Sequence, residues 1–251
     1  MGNVTNLWRH PVKGVGGEEL QSVALAAGKT MPLDRHWAIA HEDSKFNFDA
    51  PEWARCMNFA RGARGHSLMA VTSQFDEISG KHRFSHPDLD DLLADPDNAT
   101  DAAALVEWVR KISNPNRSLP KQVVSVAGRG MTDSGTASLS ILSNASLAAL
   151  SEKCGEELHQ RRFRANVWVD RFDAWEEFNW LGKTIRIGDA EFEITKPVER
   201  CLATTVNPAT GISDVDTLGT LKSNWGHINF GVFGVVTKSG TICANSKIEI
   251  L

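Results

Sequence analysis

Apolar and polar residues alternate along many short stretches of this chain, and a repeat of two residues is typical of strands with one buried face. The alternation predicts strands near residues 4–9, 19–25, 35–40, 67–72, 122–127, 137–142, the end of 161–170, 228–236 and 247–251, with two more around a Gly-Asp turn in 185–194. Helical spacing predicts helices at 101–111, capped by Asp101, and at 144–153. Shorter helical turns are predicted at 86–95, 173–177 and 216–222.

Strands outnumber helices and follow one another closely, without a repeating strand–helix–strand pattern. We therefore predict a mainly β fold with inserted helices, an α+β chain built around a β-barrel. A break rich in proline, asparagine and serine at 113–120 is the best candidate for a boundary. The expected organisation is a smaller β-rich domain in residues 1–115 followed by a β-barrel domain in residues 116–251.

Composition narrows the class of protein only broadly. The chain has 251 residues, 41% of them hydrophobic, which suffices for one large domain or two small ones. The formal net charge of -4 argues against a general nucleic-acid binder, and no duplex binding is expected. We see no apolar run that could span a bilayer and no secretory signal, so we expect a cytoplasmic protein without a membrane partner. No cysteines form a Cys-x-x-Cys pair, which argues against a zinc ribbon or a clustered iron–sulfur site.

The most informative stretch is 196–211, where a thiol, Cys201, directly follows a cation, Arg200. Several hydroxyl and amide side chains come within a few residues: Thr204, Thr205, Asn207 and Thr210. A neighbouring positive charge lowers the pKa of a thiol and favours the thiolate, which is both the nucleophile and the metal ligand. The competing interpretation is that Cys201 is a small buried apolar residue, the commonest role of a free cysteine.

Other cationic residues are candidates for holding an anion. Lys13 lies among glycines, where the backbone can approach a ligand closely, and Arg35 lies at the turn before a strand. Arg164 and Asn166 share a face at the mouth of a predicted strand. The alternative for each of these charges is an ordinary solvated side chain.

Taken together, the motifs resemble those of MOSC-domain proteins, the domain found at the C-terminus of molybdenum-cofactor sulfurases, preceded by the associated N-terminal β-barrel domain. The resemblance is carried by motifs in the same order along the chain: His10-Pro-Val-Lys-Gly-Val-Gly-Gly17, Asp34-Arg-His-Trp37, Ser138-Leu-Ser-Ile-Leu142, Phe163-Arg-Ala-Asn-Val167 and Arg200-Cys-Leu-Ala-Thr-Thr205. Among these proteins the pattern is similar to that of the amidoxime-reducing components of mitochondria and their bacterial counterparts.

The resemblance implies that Cys201 is the protein ligand of molybdenum in a pterin cofactor, Mo-molybdopterin. It assigns the pterin and its phosphate to a set of cationic, hydroxyl and amide side chains: Lys13, Arg35, Thr136, Ser138, Arg164 and Asn166. Arg200 and the nearby polar residues Thr204, Thr205 and Asn207 would balance the charge on the metal and polarise the substrate. Thiolate is a soft ligand that suits such a metal, and forked arginine donors suit a phosphate.

The resemblance implies a molybdenum-dependent oxidoreductase that reduces N-hydroxylated or N-oxygenated small molecules. Since we find neither a ferredoxin-like cysteine cluster nor a dinucleotide-binding motif, we expect electrons from a separate partner, such as a ferredoxin, flavoprotein or cytochrome. The alternative is a carrier of the cofactor, or of sulfur as a Cys201 persulfide, without substrate reduction. A third possibility is a β-barrel binding protein that has lost its cofactor.

Overall fold

The structure is a computed structural model that describes residues 2–251. These residues form fifteen strands, in chain order β1 (Gly2–Arg9), β2 (Glu18–Leu20), β3 (Ser22–Leu25), β4 (Trp37–His41), β5 (Thr72–Asp76), β6 (Lys81–His86), β7 (Leu89–Ala94), β8 (Pro120–Ser125), β9 (Leu139–Ser143), β10 (Val167–Asp170), β11 (Thr184–Ile187), β12 (Ala190–Glu199), β13 (Asn229–Lys238), β14 (Gly240–Cys243) and β15 (Lys247–Ile250). The α-helices are α1 (Ala99–Arg110), α2 (Asn144–Cys154) and α3 (Thr217–Trp225). Short 3-10 helices lie at Cys56–Asn58, His66–Ala70, Gln160–Phe163, Glu176–Trp180 and Leu202–Thr205. The predicted mainly β fold with inserted helices is confirmed.

Seven strands close into a barrel in the order β10, β9, β13, β12, β11, β15 and β1, and β1 pairs back onto β10. Neighbouring strands in this ring are antiparallel, except that β9 and β10 run parallel. The core consists of apolar side chains from every strand, including Leu7, Ile141, Phe192 and Ile248, which are almost completely buried. Closure of the ring satisfies the strand edges that an open sheet would expose.

The helices α2 and α3 pack against each other and against the barrel. Between them they bury a second apolar cluster that includes Leu150, Trp168, Leu221 and Phe230. The helix α3 begins just after the loop that carries Cys201, and the side chain of Asp216 caps it by accepting a hydrogen bond from the backbone N–H of Gly219 at 2.8 Å. The Cys201 loop is therefore anchored between the end of β12 and a capped helix.

The rest of the N-terminal half forms a unit of its own, made from the β4–β8 pair, the β5–β6–β7 sheet and α1. Its core contains Trp37, Phe84, Leu105 and Trp108. Strands pair across the predicted boundary. The N-terminal strand β1 pairs with β10 in the barrel, and β8, which follows the boundary, pairs with β4 in the N-terminal unit. The domain boundary between residues 115 and 116 stays a prediction. Each of the two structural units contains strands from both sides of it.

Two predictions of local structure are wrong. Residues 86–95 were expected to form a short acidic helix, but β7 occupies Leu89–Ala94 and pairs with β6. The strand wins because Leu89, Leu92 and Ala94 pack against the core of the N-terminal unit, while the aspartates between them remain exposed. Most of the strand predicted at 67–72 is instead the 3-10 helix His66–Ala70.

The helix predicted at 101–111 begins earlier than expected, since α1 starts at Ala99. Its cap is Asn98, whose side-chain oxygen accepts hydrogen bonds from the backbone N–H groups of Thr100 and Asp101. Asp101 lies in the first turn instead, where its carboxylate accepts a hydrogen bond from Lys81 at 2.6 Å. The predicted cap was thus displaced by three residues.

No helix within residues 2–251 combines the length and apolar character needed to cross a membrane.

Candidate functional site

A cavity of about 460 Å³ lies where the barrel meets the N-terminal unit, and it gathers most of the residues singled out in the sequence. Lys13 and Arg35 reach it from the N-terminal part of the chain, Arg164 and Asn166 from the entry to β10, and Cys201 from the loop after β12. Sequence reasoning did not single out several other residues of the lining: Cys56, Arg61, Met69, Thr132, Asp133 and Ser134. The predicted cationic residues and the predicted thiol therefore share one cavity.

Cys201 is solvent-exposed at this cavity, directly before the 3-10 helix Leu202–Thr205. Its carbonyl accepts hydrogen bonds from the backbone N–H of Thr204 at 3.1 Å and from the Thr204 hydroxyl at 3.0 Å. These bonds fix the backbone at the thiol, while the side chain remains open to a ligand. The alternative of a sealed apolar cysteine is contradicted by the exposure of Cys201.

The net shift of the Cys201 pKa is opposite to the one expected from the neighbouring charge of Arg200. The surrounding protein partly removes the thiol from water, and this burial raises the pKa of Cys201, with only a smaller lowering by Arg200. The Arg200 guanidinium is itself buried and donates to the carbonyls of Phe230 and Phe163 at 2.6 to 2.9 Å. Burial of the thiol thus outweighs the neighbouring positive charge, and Arg200 alone does not activate Cys201 as a thiolate.

Arg200 has a structural role at the site. Its guanidinium also lies over the rings of Phe163 and Phe230, with its central carbon 5.5 and 5.8 Å from the ring centroids. Burial lowers the pKa of Arg200 to about 9. These contacts tie the end of β12 to β13 and to the segment before β10, so Arg200 holds the base of the Cys201 loop.

Arg35 and Arg164 are the most constrained cations of the cavity. Both adopt left-handed backbone conformations, with φ of 51° and 47°, which non-glycine residues rarely occupy. Arg35 pairs with Asp34 and donates to the carbonyl of Arg164 at 2.7 Å. Such strain persists only where the surrounding structure enforces it, and it is concentrated at functional sites.

Arg164 also carries an unsatisfied donor. Its Nη1 donates to the carbonyl of Gly16 at 2.7 Å, whereas its Nη2 is buried without a hydrogen-bond partner. Burial and, next, repulsion from Arg35 lower the pKa of Arg164 to about 9. A buried guanidinium nitrogen that lacks a partner is costly, and an anionic ligand in the cavity would satisfy it.

Lys13 and Asn166 both line the cavity and are held in place by hydrogen bonds within the protein. Lys13 is buried, forms an ion pair with Asp133 and donates to the carbonyl of Met131 at 2.8 Å. The side-chain oxygen of Asn166 accepts from the N–H and the hydroxyl of Ser140, both at 3.1 Å. Ser138 lines the cavity nearby. Lys13 is thus a positive charge fixed in place, whereas the amide of Asn166 is used within the protein.

Some predicted site residues lie outside the cavity lining. Thr136 is exposed and does not face the cavity, while Ser138 does. Thr205 is buried and its hydroxyl contacts the carbonyl of Leu202 and the hydroxyl of Ser213. Thr204 lines the cavity, but its hydroxyl is occupied by internal hydrogen bonds. The amide of Asn207 donates to Asp214 at 2.8 Å and does not line the cavity.

These loop residues build a framework around Cys201, centred on the pair of Arg162 and Asp214. The two nitrogens Nη1 and Nη2 of buried Arg162 donate to the two carboxylate oxygens of Asp214 at 2.7 and 2.9 Å. The hydrogen bond from Arg162 holds the pKa of Asp214 below its ordinary value. This forked geometry links the segment before β10 to the far end of the Cys201 loop.

Replacing Asp214 by alanine should therefore lower the free energy of unfolding by about 2 kcal/mol, because buried Arg162 loses its forked acceptor. Urea unfolding would measure this change. The matched control is Glu249→Ala, which removes an exposed carboxylate 3.1 Å from Arg186 on the barrel surface and should change stability by less than about 0.5 kcal/mol. Equal effects of the two substitutions would contradict the role given to the Arg162–Asp214 pair.

The charge of the cavity indicates the class of ligand. Cationic side chains dominate the lining, and they are Lys13, Arg35, Arg61, Arg162, Arg164, Lys196 and Arg200. The carboxylates of the lining are Asp133 and Glu199. With the unpartnered Nη2 of Arg164, the hydroxyls of Thr132, Ser134 and Ser138, and a free thiol, the residues fit a phosphorylated heterocycle whose metal takes a sulfur ligand.

Comparisons with known proteins agree with the resemblance seen in the sequence. Residues 127–249 match the family model of the MOSC domain, and residues 1–91 match that of the MOSC N-terminal beta barrel domain. The chain is 25% identical to human mitochondrial amidoxime-reducing component 1, over 89% of this chain and 72% of that protein. It is 37% identical to human mitochondrial amidoxime reducing component 2 over 34% of this chain and 25% of that protein. It is also 34% identical to molybdenum cofactor sulfurase of Drosophila pseudoobscura pseudoobscura, over 29% of this chain and 9% of that protein.

Proposed function

Since the chain belongs to the MOSC-domain proteins, we propose that it is a molybdenum-cofactor-dependent oxidoreductase that removes oxygen from N-hydroxylated or N-oxygenated compounds. The observation that carries this proposal is the exposed thiol of Cys201 in the same cavity as the buried, unpartnered Nη2 of Arg164. A sulfur ligand for the metal and an unfilled donor for the phosphate are the two requirements of the cofactor. The names of the relatives, amidoxime-reducing components and a molybdenum cofactor sulfurase, support the same assignment.

The residues of the cavity divide into a phosphate end and a metal end. Arg164 would donate to the phosphate through its unpartnered Nη2, and Arg35 and Lys13 would add fixed positive charge. Cys201 would supply the protein sulfur ligand at the other end, and coordination would hold it as a thiolate despite its raised pKa. When bound, the cofactor supplies the two-electron redox chemistry of the reaction.

The protein's own contribution is to orient the substrate and limit the water around it. In the overall reaction the N–O bond of the substrate breaks, its oxygen leaves as water, and two electrons and two protons are consumed. The electrons would come from a separate donor protein, such as a ferredoxin, flavoprotein or cytochrome. That donor and the cytoplasmic location stay predictions.

Turnover of a simple amidoxime tests the proposal directly. The purified protein, loaded with molybdenum cofactor and supplied with reduced viologen as donor, should convert benzamidoxime to benzamidine. A protein that retains cofactor but is inert towards amidoximes, hydroxylamines and N-oxides would contradict reduction. Molybdenum-free protein with one extra sulfur atom on Cys201, detected by mass spectrometry, would instead favour the sulfur carrier.

A further inference from the structure

A second cavity of about 200 Å³ adjoins the main one, and Arg61 lines both. The smaller cavity is also lined by Arg64, Arg117 and His41. No aspartate or glutamate contributes to its walls within the described part of the chain. Three arginines thus line this cavity and make it positive, while the carboxylate of Asp43 accepts a hydrogen bond from Ser118, another residue of the lining.

The arginines of this region lack ion-pair partners. In residues 2–251, no carboxylate lies within 4.0 Å of the guanidinium of Arg61, Arg64 or Arg117. Arg61 donates through Nη1 to the sulfur of Cys56 at 2.9 Å, leaving its other N–H groups available. By contrast, Lys13 and Arg35 at the phosphate end each already have an aspartate partner.

Arg61 lies close to the metal end of the main cavity. The next residue, Gly62, packs so tightly that a Cβ placed on it would lie 2.3 Å from Sδ of Met69 and 3.5 Å from Cβ of Ala203. Ala203 is two residues beyond Cys201, so the segment carrying Arg61 packs directly on the Cys201 loop. A substrate that reacts next to Cys201 would therefore lie within the neighbourhood of this segment.

We infer that Arg61, reinforced by Arg64 and Arg117, forms an anion subsite that selects N-oxygenated substrates bearing a carboxylate or phosphate. The inference rests on the proposed function and adds the class of substrate to it. A guanidinium presents two parallel N–H donors that match the oxygens of such a group, and Arg61 still has donors to offer. Arg64 and Arg117 raise the local potential, so the anionic end of the substrate would be drawn to the wall shared by the two cavities.

Paired substrates test this inference. The cofactor-loaded protein, reduced by viologen, would be assayed with benzamidoxime and with para-carboxybenzamidoxime, which differ only by the carboxylate. We expect kcat/KM to be about tenfold higher for the carboxylated compound, as befits one charge-assisted contact. Arg61→Met should abolish this preference, raising KM about tenfold more for the carboxylated compound than for the neutral one. Inorganic phosphate should compete with the carboxylated compound only.

The matched control is Arg55→Met, in the same segment. Arg55 is exposed and lines neither cavity, so its replacement should leave both substrates unaffected. If Arg61→Met proves poorly folded, Arg64→Met and Arg117→Met alter exposed side chains and should reduce the preference in the same direction. Calorimetric titration of the cofactor-loaded protein with para-carboxybenzamidoxime, without an electron donor so that no turnover occurs, gives an independent readout, with binding retained in Arg55→Met and weakened in Arg61→Met.

The outcomes separate the two hypotheses. If the unmodified protein reduces neither compound, the proposed function fails, while calorimetry still decides whether Arg61 binds the carboxylate. If both compounds are reduced equally well and Arg61→Met changes neither KM nor calorimetric binding, the anion subsite is refuted and the proposed reaction stands.

Discussion

Replacing Arg164 by methionine should weaken retention of the molybdenum cofactor about 30-fold, since the one charge-assisted hydrogen bond that its unpartnered Nη2 would donate to a phosphate is worth about 2 kcal/mol. The free energy of unfolding of the cofactor-free protein should rise or stay the same. Nη2 of Arg164 is buried without a partner, its pKa is lowered to about 9 by burial, and its φ of 47° is strained. A side chain maintained at such a cost to the fold is expected to serve a ligand.

Equilibrium dialysis of the cofactor and thermal unfolding of the cofactor-free protein measure the two effects. Arg186→Met is the matched control, because Arg186 is an exposed arginine of β11 that pairs with carboxylates on the barrel surface. It should leave retention of the cofactor unchanged. A variant Arg164→Met that keeps the cofactor, or that loses it only because the cofactor-free fold collapses, would show that Arg164 is structural.

The second large effect concerns pH and Glu177. This carboxyl is fully buried beside α2: Oε2 accepts a hydrogen bond from Ser146 at 2.8 Å, and Oε1 has no partner. Burial disfavours the charged form and raises the pKa of Glu177 from 4.5 to about 7. The folded protein therefore holds this proton over a range of pH in which the unfolded chain has released it.

The sign of the pH dependence follows from this difference. As pH rises from the unfolded pKa of 4.5 to the folded value of about 7, the titration of Glu177 lowers the free energy of unfolding by up to about 3 kcal/mol. Glu177→Gln has no titrating group there, so it should gain stability relative to the natural protein as pH rises from about 4.5 to about 8. Urea unfolding at several pH values, taken as the difference between the two proteins, cancels the titration of all other groups. A difference that does not vary with pH would contradict the buried, protonated state of Glu177.

The sequence predicted the barrel well because its strands carry their own signal. The alternating burial in β11 and in the first residues of β1 follows directly from the residue pattern, and β9 keeps three apolar residues, Leu139, Ile141 and Leu142, in the core. The β6–β7 hairpin was missed because its aspartates and histidines suggested a solvated helix, whereas the buried face of Phe84, Leu92 and Ala94 is defined only by contacts with α1 and the rest of the N-terminal core.

The sequence predicted those residues of the candidate site that belong to a local motif. The Arg200–Cys201 pair and Lys13 belong to such motifs, and they do lie at one cavity. Arg61 and Cys56 were missed because they lie in an irregular segment that meets the cavity only through tertiary packing. The direction of the Cys201 pKa could not be predicted either, since its largest cause is burial of the thiol, which arises from tertiary packing and has no local sequence signal.

The central claim is that the sulfur of Cys201 holds molybdenum in a cavity whose arginines bind the phosphate of a pterin. Elemental and pterin analysis of the natural protein and of Cys201→Ser, both purified under the same conditions, tests it most directly. We expect molybdenum and pterin in equal amounts in the natural protein, with the metal lost from Cys201→Ser while its fold is retained. Natural protein that carries no molybdenum after expression with the cofactor, or equal metal content in the two proteins, would contradict the claim.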